Sequence, residues 1–134
     1  GEVNTIQHAC AACHESARFG AARFENIGLK TTVGETKSKK FKVPSLYNIS
    51  YTAPYMHDGS IKTLDEVLVH YDRGLVFNTA LSPELVANGT AKKFHFSAAQ
   101  LAAARQFLLL FDDADFIINK MHYNPRETNA VFGD

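Results

Sequence analysis

The sequence predicts an all-α domain in which a few helices are joined by long loops wrapped around a bound group. Three observations predict it. Two capping boxes, Thr63-Leu-Asp-Glu66 and Ser97-Ala-Ala-Gln100, each open a run of apolar residues at helical spacing. The stretch from residue 15 to 62 is punctuated by Gly20, Gly28, Gly34, Pro44, Pro54 and Gly59 and shows few helical periods. Finally, Cys10-Ala-Ala-Cys13-His14 holds both cysteines of the chain, with a histidine directly after the second.

Taken in order, residues 3–14 read as a first helix with the cysteine motif at its end. The long irregular stretch comes next; a loop of that length in a compact domain usually wraps around something. From Thr63 the residues Leu64, Val67, Leu68 and Tyr71 fall at i, i+3, i+4 and i+7, one face of a helix that Arg73-Gly74 ends. Residues 75–96 read mostly as loop, with a turn at Ser82-Pro83. From Ser97 a last helix runs to about Phe111, with Leu101, Ala104, Leu108 and Phe111 as its buried stripe and Asp112-Asp113 as its stop. A polar tail begins at about residue 113, and the whole chain, 1–134, reads as one domain.

The spacing Cys10, Cys13, His14 is that of a covalent attachment site for c-type haem. Two thiols one helical turn apart can each form a thioether to one haem vinyl group, and the next residue can offer an imidazole to the iron. A structural zinc site would need a second pair of ligands, and His8, His57, His70, His95 and His122 stand singly. A dithiol redox motif would need a strand before it, whereas residues 2–9 read as helix.

Bulk properties narrow the partners. Lys plus Arg number 14 and Asp plus Glu number 14, so no net charge draws the chain to nucleic acid or an anionic membrane. The longest apolar run, around Gln106 to Phe111, is far too short for a membrane span. Ten Phe and five Tyr can line a haem pocket. The chain opens on Gly1 rather than Met, which reads as a processed chain or a fragment. Haem is joined to such motifs outside the bacterial cytoplasm, so a periplasmic or otherwise exported location is expected.

Further strings make the reading more specific. After the haem motif come Phe24-Glu-Asn-Ile-Gly-Leu29, Phe41-Lys-Val-Pro-Ser-Leu46, Thr52-Ala-Pro-Tyr-Met-His-Asp-Gly-Ser60 and Thr63-Leu-Asp-Glu-Val67. In this order, over roughly residues 7–112, they resemble the C-terminal haem domain of the bacterial di-haem cytochrome c peroxidase and MauG family. The resemblance implies a cytochrome c-like fold around one covalent haem c. It also implies a high-potential haem that relays electrons to a second, peroxide-reactive haem domain, which this sequence does not contain.

The resemblance bears on the iron ligands too. His14 is the proximal ligand through the attachment motif. In the peroxidases a Met in the helix after His-Asp-Gly closes the distal side; counting from His57, that place is Tyr71 here, and MauG-like proteins carry a ligating Tyr there. A phenolate oxygen stabilises ferric iron, whereas a thioether raises the potential. Tyr71 is therefore the leading distal ligand, and a core tyrosine is the alternative. Met56 is the rival ligand, or a gap-filling side chain beside the porphyrin; Met121 stands third. His57 is expected to hydrogen-bond near the haem without binding iron, and His70, His8, His95 and His122 to sit at the surface.

The family holds calcium between its two domains, partly through backbone carbonyls at the places of Thr52 and Pro54, so calcium is a minor expectation. Tyr47 stands where the family usually has an Arg near the propionates, leaving that charge to Lys40 or Lys42. The run Lys37, Lys39, Lys40, Lys42 is either a solvated loop or a docking face for a redox partner. Two functions are consistent with these residues: single-electron transfer with a redox partner protein or second haem domain, or peroxide-reactive oxidation together with such a domain.

Overall fold

The computed structural model describes residues 9–15, 22–30 and 38–119. Residues 9–11 form the helical turn that carries the first cysteine. Strands β1 (Phe24–Glu25) and β2 (Phe41–Lys42) pair antiparallel, Phe24 opposite Lys42. A 3-10 turn, Ile49–Tyr51, precedes helix α1 (Leu64–Val69), which passes directly into a π-turn over His70–Gly74. A second 3-10 turn, Pro83–Leu85, leads into the hairpin β3 (Val86–Ala87) and β4 (Thr90–Ala91). Helices α2 (Ala98–Leu109) and α3 (Ala114–Ile118) complete the described chain.

Both capping boxes form as the sequence predicts. The Thr63 and Ser97 hydroxyls accept from the backbone N–H of Glu66 and Gln100, whose side chains reach back to the cap N–H groups. The apolar faces behind them meet: Leu64 and Leu68 of α1, Ala104 and Leu108 of α2, and Leu46 from the preceding loop make one buried cluster. Cys10, Tyr55, Phe96, Leu101 and Phe111 pack around it. The attachment motif is thus seated on the main core.

The fold departs from the all-α expectation. It holds helices together with two small antiparallel sheets. Each strand is two residues long, below the length at which period-two alternation can be read. The second hairpin did carry a signal: Asn88 and Gly89 both take positive φ, 51° and 72°, as a two-residue hairpin turn requires. Helix α3 also lies within the segment expected to be a polar tail, its N-cap Asp113 accepting from Phe116 N–H at 2.9 Å.

The loops are fastened by side chains. Asn26 is buried; its amide donates to Lys39 O (2.8 Å), its Oδ1 accepts from Gly28 N–H and from the Asn78 amide (3.0 Å each), and its carbonyl accepts from Ser82 N–H (2.9 Å). Gly28 takes φ +59°, and a Cβ there would stand 2.9 Å from Val76 O, so only glycine fits this close approach.

Candidate functional site

The turn around Cys10 closes on itself: Cys13 N–H and His14 N–H both donate to Cys10 O, at 3.2 and 2.9 Å. Both thiols are unpaired. Burial, reinforced by the neighbouring Cys13, pushes the Cys10 thiol up to about 11. Burial also raises Cys13, against the opposing pull of Arg23. Two neutral thiols one turn apart, set on an apolar core, suit thioether bonds to a porphyrin edge.

Arg23 is the polar counterpart of this turn. Its Nη2 reaches Glu84 at 2.7 Å and Cys13 Sγ at 3.8 Å, its Nε reaches Glu25 at 2.7 Å, and its Nη1 reaches Glu15 at 3.4 Å. Ser82, almost fully buried, donates its hydroxyl to Glu84 at 2.5 Å. These hydrogen bonds hold the Glu84 carboxyl down at about 2. The sequence did not single out Arg23 or Glu84, and marked Ser82 only as a turn residue, because their partners lie as far as 61 positions apart along the chain.

Tyr71 lies within the π-turn. Burial, with Cys10 and Cys13 beside it, drives its ionisation far above the ordinary tyrosine value. The residues on either side are buried. His70 is 7% exposed and its Nε2 stands 2.9 Å from Ile27 O. Asp72 is 1% exposed; its Oδ1 accepts from Phe96 N–H at 2.9 Å and its Oδ2 pairs with Arg73 at 3.3 Å. His70 is therefore no surface residue, contrary to the expectation from α-helical spacing. A π-turn holds more residues per turn than an α-helix and so changes the direction in which its side chains leave the axis. Position 70 accordingly turns inward to the Ile27 carbonyl.

The loop at 52–60 carries Met56 and His57. Tyr55 N–H donates to Ile61 O at 2.7 Å and its hydroxyl to Ile49 O at 2.9 Å, closing the loop's base. The Ala53–Pro54 peptide is cis. Met56 is half-buried with φ +70°, a left-handed conformation uncommon for such a side chain. His57 is exposed and stacks on Phe41, ring centroids 3.9 Å apart, with Lys39 5.9 Å over the Phe41 ring. Thr52 and Pro54 are exposed, and among the described residues no group of three or more His, Cys, Asp or Glu is placed to hold a metal ion.

The structure thus brings Cys10, Cys13 and His14 together in one turn, with Tyr71 near enough for both thiols to bear on its ionisation, and sets His57 against Phe41. Lys39, Lys40 and Lys42 are exposed, as is His95; Tyr47 is exposed and meets Phe111 edge to face. His8, Lys37, Met121 and His122 lie outside the described residues. No helix among the described residues is long and apolar enough to cross a membrane.

The chain as a whole has relatives among known proteins, by sequence and by fold. No protein-family model matches the chain. It is 38% identical over 87 residues to the methylamine utilization protein MauG of Methylorubrum extorquens, covering 57% of this chain and 25% of that protein. It is 40% identical over 98 residues to a cytochrome-c peroxidase of Pseudomonas sp. (strain SCT), covering 72% and 23%. It is 33% identical over 85 residues to the cytochrome c peroxidase Ccp of Escherichia coli, covering 48% and 18%. The crystal structure of a MauG-like protein associated with microbial copper homeostasis superposes with a TM-score of 0.67 at 24% identity, over 93% of this chain and 50% of that one. The chain spans a quarter or less of these curated relatives.

Proposed function

On the premise that this chain is a sequence relative of the di-haem cytochrome c peroxidases and MauG proteins, we propose that it is a c-type cytochrome domain. It carries single electrons through one covalent haem, as the electron-transfer half of a two-haem peroxidase or MauG-like system in the periplasm. One observation carries the reading: two unpaired thiols one turn apart, with the His14 N–H closing the same turn on Cys10 O.

Cys10 and Cys13 would hold the porphyrin edge by thioether bonds, and His14 would give the iron its imidazole. Tyr71 would be the opposite ligand, with Met56 as rival. A haem so held supplies reversible one-electron exchange at its iron. The protein's part is to fix the ligands and surround the ring with low-dielectric walls, here Leu46, Leu64, Leu68 and Leu108 with the aromatic rings around them. An ionised phenol is costly in such a site unless a cation accepts its charge, so Tyr71 would bind ferric iron and favour that state. The exposed Lys39, Lys40 and Lys42 beside the Phe41–His57 stack would offer a basic face to an acidic redox partner.

The test is the absorption spectrum of the purified haem protein. A tyrosinate-to-iron signature that Tyr71→Phe abolishes and Met56→Leu leaves intact supports the reading. An unchanged Tyr71→Phe spectrum removes Tyr71 from the iron. The peroxide-reactive alternative is favoured by the relatives' names. A high-valent species on adding peroxide to this domain alone would support it, and an unaltered ferric spectrum would count against it.

A further inference from the structure

The π-turn poses a problem that its neighbours solve. Five residues, His70–Gly74, leave α-helical geometry at the end of a helix only six residues long. Such turns are rare and survive where something holds them. Here the holders are the side chains on either side of Tyr71. His70 is fixed to Ile27 O at 2.9 Å, on the loop that leads out of β1. Asp72 is fixed on the opposite side, to the strap at residues 94–96. Its Oδ1 accepts from Phe96 N–H at 2.9 Å and its carbonyl oxygen accepts from Phe94 N–H at 3.0 Å. The strap is itself stiffened by Phe94 stacking on Phe96, centroids 5.2 Å apart, and by His95 in a left-handed conformation, φ +55°. A carboxylate 1% exposed needs such partners to remain buried.

We propose that His70 and Asp72 are positioning residues for the distal haem ligand: anchored to two different loops, they lock the π-turn that carries Tyr71 between them. The inference rests on the reading of Tyr71 as ligand. A ligand on an unanchored turn could swing away from the metal or yield to an exogenous ligand. With the turn tied at both neighbours, displacing Tyr71 with its turn would require breaking a partly buried hydrogen bond on each side.

The experiment compares variants in the full protein by ferric absorption and electron paramagnetic resonance, with haem loading measured separately. Covalent attachment at Cys10 and Cys13 keeps the haem in place when a distal contact is lost. Asp72→Asn and His70→Gln keep an acceptor for Phe96 N–H and a group that can meet Ile27 O; both are expected to retain the Tyr71 signature. Asp72→Leu and His70→Leu remove the anchors. Each is expected to shift the balance between bound and released Tyr71 by about ten- to a hundredfold, and to sharpen imidazole binding in proportion. Should a leucine variant not fold, Asp72→Ser and His70→Ala carry the same comparison. In the unsubstituted protein the Phe96 amide is expected to resist hydrogen exchange; fast exchange there would overturn the clamp. Leucine variants that load haem and keep the parent spectrum and imidazole affinity would overturn the positioning role alone. A Tyr71→Phe spectrum identical to the parent would overturn the ligand reading and this inference with it.

Discussion

Replacing Glu84 with Gln should make the protein's stability less dependent on pH between about 5 and 3. In the folded chain Ser82 and Arg23 hold the Glu84 carboxyl from its ordinary 4.5 down to about 2. A depressed carboxyl contributes stability that is fully present above its unfolded value. That stability is lost as pH falls from 4.5 towards 2. Converted directly, a depression of this size would be worth about 3 kcal/mol. The Glu84 side chain is, however, 34% exposed and its Arg23 partner 31%. Solvent screening therefore reduces the expected contribution to about 1 kcal/mol. Urea unfolding followed by circular dichroism, for parent and Glu84→Gln, should show a gap of that order at pH 7 that narrows below pH 4.5 and closes towards pH 2. A gap that stays constant over this range, or no gap at pH 7, would refute the account of Glu84 as an acid held ionised by Ser82 and Arg23.

Three further outcomes are expected. Leu68→Ala removes a side chain buried between α1 and α2 and should cost about 2–5 kcal/mol in urea unfolding. Gly28→Ala should cost about 2–4 kcal/mol, since a Cβ at φ +59° would stand 2.9 Å from Val76 O; near-parent stability would mean that the approach is looser than described. Thr63→Ala, which removes the hydroxyl acceptor at the start of α1, should lower stability by about 1 kcal/mol, with Thr63→Ser close to the parent.

Much of what is encoded locally is legible in the sequence. Thr63 with Glu66 and Ser97 with Gln100 mark helix starts within four residues, and the structure forms both boxes. The start of α2 and its stripe at Ala104 and Leu108 are legible from spacing alone. Other features depend on distant partners. His70 turns inward because the helix widens there, and Ile27 supplies a carbonyl 43 positions earlier. Asp72 is buried because Phe96 N–H meets it from 24 positions later. The Arg23 cluster likewise joins three segments that no local pattern connects. The hairpin at 86–91 is different, since Asn88-Gly89 announces it; reading residues 75–96 as loop gives too little weight to that dipeptide.

Asn26 has a consequence for how the molecule opens. One side chain and one carbonyl tie together the backbone near residues 28, 39, 78 and 82. Loops fastened separately would fray separately, each with its own opening free energy. Loops fastened at one amide share a single opening event, because releasing any of them strips a partner from the same buried group. Native-state hydrogen exchange should therefore group these loop amides into one cooperative unit, with a common dependence on denaturant. The stretch with the least regular secondary structure would then exchange as a block, as the interior of a long helix does.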